Sequence, residues 1–166
     1  RIMASKLRVD HIEPVGGIPT GGGGGIIQVV QGTSTTAKTI DSTSYMATNL
    51  YATITPTSSS SKILIQATQV ADCSAANRQV YLSIHRDIGG AGYSNISGGT
   101  EGGYAAPYNG PSGDRLIETA SVVYLDSPST TSAVTYKIYA KSSGSYSTEI
   151  GGQNTQQIMV LMEVSG

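Results

Sequence analysis

Cys73, His85 and an aspartate are the residue types of a thiolate nucleophile, in which a base takes the thiol proton and a carboxylate orients the base. Here they fall in no recognisable local motif, and a lone cysteine commonly serves as a small buried hydrophobe. Glu101, Asp114 and Glu118 lie in or beside a glycine-rich stretch. Glycoside cleavage needs two such carboxylates about 5 to 9.5 Å apart, so a surface-polysaccharide depolymerase is carried as an alternative. His11 and His85 are the only histidines, which limits a histidine metal site to one ligand per subunit around a symmetry axis. The acidic residues lack the Asp-x-Asp-x-Asp/Asn-Gly spacing of a calcium loop. No metal and no cofactor is expected. Gly21 to Gly25 are not followed by Lys-Ser or Lys-Thr, and Ile26 opens a strand, so these glycines read as a linker and not as a phosphate cradle.

Binding chemistry is better represented. Tyr93, Tyr104 and Tyr108 stand in residues 87–115 among nine glycines, with Asn95 and Asn109 beside them. Tyrosine offers a flat apolar face for stacking and a hydroxyl for hydrogen bonding at little rotamer entropy. These five residues are the candidate receptor contacts. The competing role for the rings is to pack beneath the loop or across a subunit interface.

The segments that must position these residues alternate with period two. Val80, Leu82 and Ile84 fall on one side of a strand, and Gln79, Tyr81, Ser83 and His85 on the other. Val134, Tyr136, Ile138 and Ala140 alternate in the same way with Thr135, Lys137, Tyr139 and Lys141, and Leu50, Ala52 and Ile54 lead into Pro56. Each such strand is expected to have one buried and one wet face. Residues 62–67 and 157–162 are apolar on both sides, so they need a cover on each. Strands are expected at 26–31, 45–47, 50–55, 62–70, 78–86, 116–125, 134–141, 145–150 and 156–164, with Thr, Ser, Pro and Gly turns between them. That pattern predicts an all-β antiparallel sandwich of jelly-roll type, with residues 87–115 as a long loop.

A chain of 166 residues suffices for one head domain, residues 26–166, preceded by an N-terminal arm and glycine hinge at 1–25. Leu7, Val9, Ile12 and Pro14 are the apolar positions by which the arm would dock. Met3 is a candidate natural start. Charged residues make up 13% of the chain and the net charge is -1, which gives no footprint for nucleic acid or an anionic membrane. No run approaches a membrane span and the N-terminus lacks a signal-peptide h-region, so neither membrane insertion nor signal-directed export is expected. One cysteine excludes an intrachain disulfide. With no Trp and no Phe, core packing in a monomer is modest, which favours oligomerisation.

An ordered set of segments resembles virion structural proteins of tailed bacteriophages, especially fibre and tail-fibre proteins of marine and cyanobacterial phages. The set comprises residues 6–12 (KLRVDHI), the glycine joint, 26–31 (IIQVVQ), 52–56 (ATITP) followed by 59–65 (SSSKILI), 125–128 (LDSP) with 136–138 (YKI), and the closing 158–164 (IMVLMEV). It covers most of the chain apart from 87–115. The resemblance implies a trimeric jelly-roll head similar to the tumour-necrosis-factor-like fold. It also implies attachment to other virion proteins through the N-terminal arm and adsorption to host-surface polysaccharide or protein, and it offers no catalytic residues to carry over. With no convincing catalytic cluster, no enzymatic activity is expected; the lone cysteine and absent signal peptide fit synthesis in the bacterial cytoplasm and release by lysis. The two-sided apolar strands fit a threefold assembly independently, with Leu64, Met159 and Leu161 as candidate interface residues. A capsid or tail decoration protein with a purely structural role is the first alternative.

Overall fold

The computed structural model describes residues 25–74, 76–99, 101–111, 115–144 and 146–166. The arm residues Leu7, Val9, Ile12 and Pro14, His11 and Asp114 lie outside the described residues. Eleven strands follow in order: β1 (Ile26–Ser34), β2 (Lys38–Ile40), β3 (Met46–Ile54), β4 (Lys62–Cys73), β5 (Arg78–Ile88), β6 (Ser94–Asn95), β7 (Tyr108–Asn109), β8 (Leu116–Asp126), β9 (Val134–Ser142), β10 (Thr148–Ile150) and β11 (Gln157–Val164). No helix occurs among the described residues.

Several of these segments are pieces of one interrupted strand. β11 and β10 pair successive parts of the same edge of β4, and β1 and β2 pair β11 and β10 in turn. β6 and β7 both line the free edge of β5, joined by a bridge between Leu82 and Ala105. Counted that way, the described residues make eight strands in two antiparallel sheets. One runs β1/β2, β10/β11, β4, β8, and the other β3, β9, β5, β6/β7. In chain order these are strands 1-8-3-6 and 2-7-4-5, the double Greek key of a jelly roll.

Residues 87–115 therefore contain the fifth strand of the sandwich, β6/β7, where a long loop was expected. The backbone amides of Val80 and Leu82 donate to Pro107 and Ala105, and those of Ile96 and Tyr104 donate to Ile84 and Leu82. Gly98, Gly99, Gly102 and Gly103 break the alternation that would reveal such a strand. The two expected strands at 45–47 and 50–55 are one, β3, with a register shift between Ala47 and Tyr51 against β9.

The core lies between the sheets and takes the inward positions that alternation assigns. Val80, Leu82, Ile84, Val134, Tyr136, Ile138 and Ala140 have no exposed surface, and Leu50, Ala52 and Ile54 have almost none. Met159 and Leu161 are likewise fully buried inside this one chain. That corrects their assignment to a subunit interface, because side chains enclosed between the chain's own sheets are closed to a sister copy. Two polar clusters seal the sandwich. Arg86 donates twice to Asp126, at 2.9 Å to each carboxylate oxygen, and the Tyr136 hydroxyl donates to Asp126 at 2.7 Å. Glu163, with no exposed surface, accepts from the Gln28 side chain at 2.6 Å and from the Thr57 amide and hydroxyl at 2.7 Å each.

Candidate functional site

On the outer face of the β3–β9–β5 sheet the register sets Tyr81 opposite Lys141, Ser83 opposite Tyr139, His85 opposite Lys137, and Tyr51 opposite Lys137 on the other side. Diagonal neighbours on such a face lie within reach of aromatic rings. The His85 imidazole accordingly stacks on Tyr139, with centroids 3.9 Å apart and planes 14° apart. Tyr45 packs against His85 at 5.7 Å and Tyr93 against Tyr139 at 5.6 Å, both tilted. Two positions on the face expected to be wet are covered: His85 is 8% exposed and Ser83 not at all. Burial lowers the His85 pKa, which keeps the ring neutral at pH 7. Desolvation raises the pKa of Tyr45, Tyr93 and Tyr139, so their hydroxyls stay protonated donors.

Lysines thread between these rings. The Lys141 ammonium lies 5.1 Å from the ring centroids of both Tyr45 and Tyr81, and that of Lys137 lies 5.3 Å from Tyr51, distances typical of cation–π contact. Lys141 also pairs with Glu101 at 3.1 Å, and the Tyr45 hydroxyl donates to the Glu101 carbonyl at 2.9 Å, which fastens the loop before β7 onto this face. Beside the pair is an open cleft of about 250 Å³ lined by Thr43, Tyr81, Glu101, Lys141, Ser142 and Ser143. Its donors and acceptors suit a hydroxylated ligand.

The five candidate receptor contacts are scattered by the fold. Tyr93 is 40% exposed and belongs to the aromatic row. Asn95 is exposed nearby, but its side chain shapes the loop: Nδ2 donates to the Gly102 carbonyl at 2.6 Å and Oδ1 accepts from the Ser97 amide at 2.9 Å. Tyr108 is 50% exposed at the other end of β5, where its hydroxyl donates to Asn77. Tyr104 packs against the core and accepts a hydrogen bond from Gln69, with desolvation raising its pKa. Asn109 is 5% exposed and donates to the Cys73 carbonyl. Neither of these last two is placed to meet a receptor. Tyr45, Tyr51, Tyr139, Lys137 and Lys141 were not among the candidates. Alternation puts Tyr139 and the lysines on the outward side of β9, but their convergence with β3 and β5 depends on register that a single strand does not reveal.

Cys73 and His85 do not form a dyad. Cys73 is buried between the sheets, whereas His85 lies on the outer face beyond β5. Desolvation pushes the Cys73 thiol up to about 11, which removes the thiolate such chemistry needs. No group of three or more His, Cys, Asp or Glu gathers as a metal-holding cluster among the described residues.

The opposite outer face, on the β1–β11–β4–β8 sheet, has a different character. Register aligns Val29, Met162, Leu64 and Leu125 in one cross-strand row, and Gln31, Val160, Gln66 and Val123 in the next. Val123 is 68% exposed, Val29 58% and Leu125 51%, and nothing in the described chain covers them. Leu64 is on this face, and Ile158, Val160 and Met162 occupy the outward positions of β11.

No family model and no curated protein matches the chain. Among solved structures, 98% of it aligns with a chain in a structure of infectious bursal disease virus, Gx strain, at a TM-score of 0.41 and 12% identity. The chain spans 44% of the length of that neighbour.

Proposed function

We propose that this chain is a virion structural protein of a tailed bacteriophage, a homotrimeric fibre head that is tethered to the particle by its N-terminal arm, presents its outward face to the host surface and catalyses no reaction. The observation that carries the reading is the apolar outer face of the β1–β11–β4–β8 sheet. A run of Val, Leu and Met side chains across four strands, left half-exposed by the described residues, is the kind of patch that marks an association surface. The ordered sequence resemblance and the jelly-roll topology point to sister copies as the cover. Closed threefold symmetry then satisfies each copy without leaving an open-ended contact.

Sedimentation of the purified protein tests the assembly. The expected species is a trimer at micromolar concentration, converted to a folded monomer by Val123→Lys with Val160→Lys, because two charges per copy would have to be buried unpaired. A monomeric wild type refutes the threefold reading. Host attachment is tested separately: excess purified head should block phage adsorption. Normal adsorption in its presence, with fragile particles when the gene is deleted, would replace the fibre role with a decoration role. Release of new reducing ends from host polysaccharide would overturn the non-enzymatic assignment.

A further inference from the structure

We propose that the outer face of the β3–β9–β5 sheet binds a neutral, pyranose-based surface glycan, with Tyr51 and Tyr93 as stacking platforms and the cleft beside Lys141 as the subsite that reads hydroxyl groups. This rests on the host-attachment reading above and assigns that attachment a site and a ligand class.

Three features of the face converge on that ligand. The first is its pair of accessible rings: Tyr51 is 54% exposed and Tyr93 40% exposed, while Tyr45, Tyr81 and Tyr139 on the same face are only partly exposed. A sugar ring presents a patch of C–H groups that a tyrosine face accepts, while the phenol hydroxyl bonds a ring substituent. The second is rigidity. Tyr93 leans on Tyr139, which stacks on His85, which meets Tyr45, and Tyr45 shares Lys141 with Tyr81, so the row is continuous from the platform to the cleft. Rings held by their neighbours lose little freedom when a ligand arrives.

The third is the balance of charge. Lys141 and Glu101 form an adjacent donor and acceptor at the cleft wall, an arrangement that suits a vicinal diol, which both gives and takes hydrogen bonds. Because Glu101 answers Lys141, and Asp87 acts on the neighbouring Tyr93 and Tyr139, the face carries no surplus positive field for a polyanion. A protein partner is disfavoured by the lysines in the centre of the face, since interface cores are depleted in lysine.

The test is an array of defined bacterial-type oligosaccharides, neutral and uronate-containing, probed with the full chain in its native assembly. Neutral glycans should be retained, with weakening of about tenfold per site in Tyr51→Ala and Tyr93→Ala. Tyr51→Phe should restore most of the binding, and Tyr108→Ala should stay within about twofold of wild type because that ring lies at the other end of β5. Tyrosine near-ultraviolet circular dichroism and sedimentation establish that each variant is folded and assembled. A blank array, retention of uronate glycans alone, or neutral-glycan binding that survives the two alanine substitutions together overturns the assignment. If the head blocks adsorption while the array is blank, only this site falls. If the head blocks nothing, the host-attachment reading falls as well.

Discussion

Glu163→Gln is the most demanding test of how the head is held together. The carboxylate sits without exposed surface where β1, β11 and the turn after β3 meet. One oxygen accepts from the Thr57 amide and hydroxyl, and the other from the Gln28 Nε2, which also donates to the Thr55 carbonyl at 2.7 Å. Burial alone would raise the pKa of this group. The hydrogen bonds from Gln28 and Thr57 outweigh it, with the Ser61 hydroxyl adding the same sign from beyond ordinary hydrogen-bond geometry, and bring the pKa down to about 2. A carboxamide can keep the Thr57 pair but turns its own NH₂ toward the Gln28 donor, losing one bond and the charge assistance on the others. Hydrogen bonds to charged groups contribute roughly 1.5–3 kcal/mol each and neutral ones about 1, so replacing three of the first kind by two of the second loses at least about 2.5 kcal/mol. For a chain of this size that lowers Tm by at least about 5–10 °C.

The pH dependence separates charge from packing. A carboxyl whose folded pKa lies below its unfolded value contributes stability that is complete above the unfolded pKa, near 4.3, and is lost as pH falls through the folded one. Thermal melts at fixed protein concentration should therefore show the full gap between wild type and variant at pH 7. The gap should shrink as pH drops from about 4.5 toward 2, since only the wild type loses a charge interaction over that range. A gap that stays constant from pH 7 to pH 3, or no gap at pH 7, refutes the reasoning.

Three further outcomes follow from other contacts. Asp126→Asn leaves Arg86 without its charge partner between the sheets and should cost about 3 kcal/mol in urea unfolding; a loss under about 1 kcal/mol would mean that the pair is solvent-screened. Gly32→Ala should destabilise by about 2 kcal/mol or more, because a Cβ there collides with the Tyr51 carbonyl oxygen, backbone that cannot turn aside; an unchanged melting curve would show that β1 and β3 are not held this closely. Iodoacetamide at pH 8 should label Cys73 only after denaturation, since the thiol is enclosed in the core; rapid labelling of the native protein would contradict that burial.

What the sequence made legible was whatever depends on one strand at a time. Val134, Tyr136, Ile138 and Ala140 declare their burial by alternation, and so do Val80, Leu82 and Ile84. The two-sided apolar character of β4 and β11 is also visible, and none of the described residues covers its outward half. Which half is which was not legible. A one-residue change of register exchanges Met159 and Leu161 for Ile158, Val160 and Met162, and only cross-strand pairing decides. The strand within residues 94–109 was hidden for another reason: its pairing with β5 resumes only at Tyr104 after Ile96, and the glycines between leave no alternating side-chain pattern. Glu163 reads as one polar residue in an apolar run because its partners, Gln28 and Thr57, are more than a hundred residues away.

The two outer faces also constrain each other. In a sandwich, side chains leaving one sheet point away from those leaving the other, so covering the β1–β11–β4–β8 face with sister copies turns the Tyr51 and Tyr93 face away from the symmetry axis. Each copy would then offer its Tyr51 and Tyr93 platforms to the exterior, three such sites per head. A weak single-site contact becomes a firm one when the second and third bind at the high effective concentration set by the rigid head. It follows that Val123→Lys with Val160→Lys, although remote from Tyr51 and Tyr93, should abolish adsorption blocking by the head while leaving the affinity of each copy for a short oligosaccharide unchanged. Loss of both together would mean that the apolar face itself touches the host, and retention of both would mean that assembly has no part in attachment.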